Sequence, residues 1–132
     1  MKFSILFIRL GGVVNILAAV LHISFWKLFD WSLALSKLSV DNSNIMQMLN
    51  LFTIVFFLYT AVLLIFRPYE FLSNFIGQAF LGMFSVMYLA RLAMEFYFPN
   101  GSYVFAGILL VTVLIFTIPI FYSKPIGHEN IK

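Results

Sequence analysis

Four apolar runs, each long enough to cross a bilayer, alternate with short polar breaks, and this pattern constrains the chain more than any other feature. They cover about residues 4–29, 45–66, 73–98 and 103–122. Between them stand a serine-containing segment around Trp31 and Lys37, the turn Arg67-Pro68-Tyr69-Glu70 and the turn Pro99-Asn100-Gly101-Ser102. Proline and glycine at these places favour tight reversals. The pattern predicts an all-α membrane protein: one domain, a four-helix up-down-up-down transmembrane bundle, with a short interfacial segment between helices 1 and 2 and a polar tail over 123–132.

Composition supports the bilayer as solvent. The 132 residues are 63% hydrophobic and 10% charged, with a mean hydropathy of +1.03, whereas soluble domains carry about 25% charge. So few charges cannot cover so much apolar surface in water. With no cysteine, disulfides, thiolate chemistry and cysteine-ligated zinc or iron-sulfur sites are excluded. The net charge of +3 does not point to nucleic acid, because the basic residues are scattered singly and read as membrane-flanking charge. The 17 phenylalanines form no cofactor motif.

The third run is the least comfortable in lipid. Its leucine, isoleucine, phenylalanine and valine residues together favour insertion by roughly 4 to 5 kcal/mol, while Arg91 and Glu95 cost up to ~3 kcal/mol each at mid-bilayer. The two sums nearly cancel. Their one-turn spacing lets Arg91 and Glu95 neutralise each other on one helix face turned toward the bundle.

The first run is read as a retained span rather than a cleaved signal peptide, because Arg9 interrupts it and it continues past Val20 without a small-residue cleavage site. Gly11, Asn15, Ala18 and His22 recur at helical spacing along it, a stripe suited to close helix contact. Around residues 30–44, Trp31, Leu35 and Leu38 mark an amphipathic turn anchored at headgroup depth by Trp26 and Trp31. Asn44, Gln47 and Asn50 open the second span. The fourth is nearly featureless: Gly107, Thr112 and Thr117 offer packing or hydroxyl contacts, and Pro119 bends its end.

With four crossings, Lys2, Arg9, Arg67, Lys124 and Lys132 share a side, against Lys27, Lys37 and Arg91. Five against three predicts a multi-pass protein of the cell membrane with both termini cytoplasmic. Counting about 1.5 Å per residue from the helix ends then places His22, Asn50 and Arg91 roughly 10 Å deep in the outer half, with Gln47 and Glu95 roughly 5 Å deep. Tyr88 and Trp26 border this layer. Asn15, Asn74 and Gln78 occupy the inner half as interhelical glue, and Arg9 snorkels to the headgroups.

Two readings of the outer layer follow. In one, His22, Gln47, Asn50, Tyr88, Arg91 and Glu95 bound a wet pocket for a small anionic or lipid-like ligand: His22 and Glu95 would handle a proton and Arg91 would hold the anion. In the other the same groups only lock the helices, and the chain is a structural or accessory subunit acting through a membrane partner or further copies of itself. An intramembrane enzyme is a third, with no catalytic residue assigned. A metal site has only His22 and Glu95 as good ligands, where a catalytic zinc uses about three. The other histidine, His128, sits in the tail on the opposite side, which argues against haem, and no cofactor is expected.

The stretches Leu21-His22-x-x-Phe25-Trp26-x-Leu28-Phe29 and Asn44-Ile45-Met46-Gln47-x-Leu49-Asn50 resemble small, uncharacterised four-span proteins of the bacterial inner membrane. The resemblance covers the first half of the chain and implies no activity. The chain does not resemble fluoride channels, nor small multidrug transporters, which place a carboxylate in the first helix where His22 stands here.

Overall fold

The computed structural model describes residues 2–98 and 101–122. The tail 123–132, with Lys124, His128 and Lys132, and the Pro99-Asn100 half of the last turn lie outside the described residues. Among the described residues six helices follow one another: α1 (Lys2–Leu28), α2 (Trp31–Leu35), α3 (Val40–Phe66), α4 (Glu70–Ser73), α5 (Phe75–Tyr97) and α6 (Tyr103–Tyr122). Four of them, α1, α3, α5 and α6, are long and apolar enough to cross a membrane. The chain is a multi-pass membrane protein with an all-α, four-helix bundle.

Local chemistry sets the boundaries. The first span closes at Leu28, and Asp30 takes a left-handed backbone (φ 44°), which aspartate tolerates better than most side chains. Its carbonyl then accepts from the amides of Leu33 and Ala34 to start α2. The second span begins at Val40, five residues before its apolar run, because the Ser39 hydroxyl accepts from the Asn42 amide at 3.3 Å and caps the helix. Asp41 to Asn44 are therefore helical rather than part of the interfacial segment. The third span starts at Phe75 instead of Ser73: Asn74 is extended (φ −148°, ψ 166°) and its side chain accepts from the Gly77 amide at 2.8 Å. The turn expected at Arg67-Pro68-Tyr69-Glu70 runs into the one-turn helix α4. The fourth span matches the apolar run end for end, and Pro119 lies inside it.

The closest backbone approaches pair α1 with α3, α5 with α6, and α1 with α6, so α1 sits between its two neighbours. Two adjacent glycines permit this. A methyl group on Gly11 would stand 2.7 Å from the Phe116 ring of α6, and one on Gly12 would stand 2.6 Å from Ile65 of α3. The opposite side, between α3 and α5, is filled by rings. Phe84 stacks on Phe116 (centroids 4.8 Å apart), Phe116 on Tyr88 (5.6 Å) and Tyr88 on Phe57 (6.2 Å), which joins α5, α6 and α3. Phe84, Phe116, Ile8, Leu64 and Leu81 are fully buried. Most other large apolar side chains point outward, including Leu17, Phe52, Val86 and Val104, the arrangement expected where lipid tails are the solvent.

Helix lengths fix the level of the α2 corner. Phe3 of α1 and Tyr122 of α6 meet edge to face, centroids 6.5 Å apart, so the two helices are level at the end of the bundle that carries the chain's N-terminus. With 27 residues in α1 and 20 in α6, α1 overshoots α6 by about 10 Å at the far end. A hydrocarbon layer of about 30 Å matched to the length of α6 would leave α2, at the far end of α1, outside it.

Candidate functional site

The sequence-predicted site residues other than Gln47 fall into three hydrogen-bonded groups. The deepest lies at mid-bundle. Asn15, fully buried, donates through Nδ2 to the Thr60 hydroxyl of α3 at 3.0 Å and accepts through Oδ1 from the Tyr88 hydroxyl of α5 at 2.9 Å. Thr60 also donates to its own Phe56 carbonyl at 2.7 Å. One amide thus ties three helices. The depth reading assigns Tyr88 to the outer layer and Asn15 to the inner half, and the structure joins them. A long helical side chain leans toward its helix N-terminus, so the Tyr88 hydroxyl swings back along α5 toward Asn15.

The second group closes α1 on α3. His22 Nδ1 and Asn50 Oδ1 are 2.8 Å apart, and Asn50 Nδ2 donates to the His22 carbonyl at 3.1 Å. The His22 ring also packs on Phe25 and Phe57 at 4.6 and 5.8 Å. Sequence reasoning brought His22 and Asn50 to one height, and the structure places them in contact.

The third group closes α5 on α6. Arg91 and Glu95 form an ion pair at 2.7 Å, and Glu95 Oε1 accepts from the Ser102 amide at 2.8 Å. The Arg91 guanidinium stands 5.2 Å from the Phe105 ring centre. The Arg91–Glu95 ion pair is therefore engaged with the α5–α6 turn through the Glu95 carboxylate. Lower on the same helix pair, Thr117 donates to Ser85 at 3.0 Å.

Gln47 belongs to none of these groups. Its amide nitrogen has two long contacts of 3.4 Å with Ser43, one turn back on its own helix. It lines an open cavity with Trp26, Trp31, Leu35 and the hydroxyls of Ser32, Ser36 and Ser43, under the α2 corner. Glu95 lines a different, smaller cavity with Ser102 and Tyr103. Among the described residues, no cluster of three or more histidine, cysteine, aspartate or glutamate side chains is arranged to hold a metal ion.

Thr60 and Gly12 are the contributors that sequence reading missed. A threonine in an apolar helix bonds back to its own carbonyls and leaves little trace in the pattern. The pairing Gly11-Gly12 is a visible signal: two adjacent small residues face two different neighbours. Comparison with protein-family models, curated proteins and solved structures returns no match.

Proposed function

We propose that this chain is a structural or accessory subunit of the cell membrane, multi-pass with both termini cytoplasmic, whose intramembrane polar groups serve to fasten its helices. The observation that carries this reading is mutual satisfaction. His22 is engaged with Asn50, Asn15 with Thr60 and Tyr88, and Glu95 with Arg91 and Ser102. A ligand pocket built on His22, Gln47, Asn50, Tyr88, Arg91 and Glu95 would draw on all three of these groups and would have to break their contacts before it could bind. Each broken group would expose unsatisfied polar atoms to hydrocarbon.

The orientation rests on the basic residues. Lys2, Arg9, Arg67, Lys124 and Lys132 fall on one side of a four-span chain, against Lys27, Lys37 and Arg91. A reporter fused after Lys132 reads this directly. Cytoplasmic activity is expected, and a periplasmic signal would reverse the topology.

Reconstitution tests the function. Vesicles containing the wild-type protein should conduct protons and small anions no faster than empty vesicles, and Glu95→Gln and His22→Ala should lower thermal stability only. Wild-type flux that Glu95→Gln abolishes in a folded protein would overturn the fastening role in favour of a transport pocket.

A further inference from the structure

The cavity beneath α2 stands apart from the three fastened groups. Its volume is about 410 Å³, within the range of small-molecule sites, and its lining combines two indoles with three hydroxyls and an amide. Trp26 and Trp31 form an aromatic wall, with ring centres 5.1 Å apart and planes tilted by 60°. Trp31 is only 8% exposed and packs on Phe25 as well as on Trp26, so this wall of the cavity is held in place.

The remaining lining supplies hydrogen bonds without charge. Ser32 donates to Asp30 Oδ1 at 3.0 Å and Ser36 to the Leu33 carbonyl at 2.8 Å, so both hydroxyl oxygens keep lone pairs for an incoming donor. Gln47 offers an amide held only by its two long contacts with Ser43. All seven lining residues are uncharged. The charges nearest in sequence, Lys27 and Lys37 against Asp30 and Asp41, cancel. With no charged lining residue, the cavity offers an anion or a metal ion no ion-pairing partner. A quaternary ammonium would use the rings and waste the hydroxyls and the amide, since it has no hydrogen-bonding hydrogen. A sugar ring uses both kinds of wall: its apolar C–H face lies on an indole while its hydroxyls donate and accept at the rim.

We propose that this cavity binds an uncharged glycosyl group, carried at the interface as the headgroup of a membrane lipid. The position of α2 supports a lipid source. Because α1 overshoots α6, the cavity stands at headgroup depth while its neighbouring helix faces stay in hydrocarbon, so a lipid could seat its sugar under α2 with its acyl chains along the bundle.

The two tryptophans of the chain both line the cavity, which makes their fluorescence a direct readout. The full-length protein in phosphatidylcholine nanodiscs is titrated with monoglucosyl diacylglycerol, with phosphatidylglycerol, and with methyl glucoside in solution. The expected result is a saturable change in tryptophan emission with the glucosyl lipid alone. Gln47→Leu should weaken half-saturation about tenfold, the loss of roughly one hydrogen bond, in a protein whose circular dichroism and elution are unchanged. Ser43→Ala serves as a second, milder variant with a shift in the same direction. Saturation with methyl glucoside at equal concentration would overturn the lipid as source. A response to phosphatidylglycerol, no saturable response, or full binding in both variants would overturn the site.

Discussion

His22 and Asn50 hold each other at two points, and together those contacts determine where the imidazole proton sits. The His22 carbonyl can only accept, so the Asn50 atom 3.1 Å from it is the amide nitrogen, and the atom 2.8 Å from the ring is the amide oxygen. Oxygen accepts, and His22 Nδ1 must therefore carry hydrogen. We expect nitrogen-15 spectra of ring-labelled protein to show a protonated Nδ1 throughout the pH range in which the bundle is folded. An unprotonated Nδ1 in the folded protein would mean that the α1–α3 clasp is built differently.

The Asn15 amide makes a stronger claim, because it is shared. Tyr88→Phe removes one donor and leaves Asn15 Oδ1 unpaired, while Asn15→Ala strands the Tyr88 hydroxyl inside the ring stack. A buried group deprived of its partner costs about 1–3 kcal/mol. Tyr88→Phe is expected at the low end of that range and Asn15→Ala at the high end. The double variant should be less destabilised than the sum, with a coupling of at least about 0.6 kcal/mol, the usual worth of such a contact between membrane helices. Unfolding in mixed micelles measures the cycle, and strict additivity would show that the contact carries no energy.

How much of this was legible depends on dimension. The spans could be read from hydropathy because insertion is a property of a run of residues, and the fourth was found end for end. The start of α3 was not, because Asp41 to Asn44 lie where the helix projects out of hydrocarbon and polarity no longer marks a break. Height along a helix was also readable: it brought His22 to Asn50. Rotation about the axis and side-chain reach were not, which is why the three-helix link of Asn15, Thr60 and Tyr88 stayed hidden and why Gln47 was grouped with residues it does not touch.

Glycine substitutions should separate packing from propensity. Gly11 and Gly12 each lie against a neighbouring helix, with a Cβ approach below 3.0 Å, whereas Gly82 and Gly107 have nothing within 4 Å of the same position. Alanine at Gly12 must push aside Ile65 and also presses on the Ala61 carbonyl at 3.1 Å. We expect Gly11→Ala and Gly12→Ala to lower the unfolding midpoint. Gly82→Ala and Gly107→Ala should leave it unchanged or raise stability by about 0.5–1 kcal/mol through helix propensity. Equal behaviour of the two pairs would contradict the close α1 contacts.

At the α5–α6 turn, the Glu95 carboxylate does two jobs that substitution can divide. It pairs with Arg91 and it accepts from the Ser102 amide. Gln at this position keeps an acceptor for Ser102 and loses only the charge, while Ala loses both. Gly101 adds a second constraint, because a Cβ there would overlap the Glu95 carbonyl oxygen of the same turn. The expected order of thermal stability is therefore wild type, then Glu95→Gln, then Glu95→Ala, with Gly101→Ala also well below wild type. Protease cutting within the turn should rise in the same order. Salt should narrow the gap between wild type and Glu95→Gln, since Arg91 is half exposed and its attraction to Glu95 is screened, but it should leave the gap between Gln and Ala intact. If Glu95→Gln proved as damaging as Glu95→Ala, the charge itself and not the hydrogen bond to Ser102 would hold the two helices together.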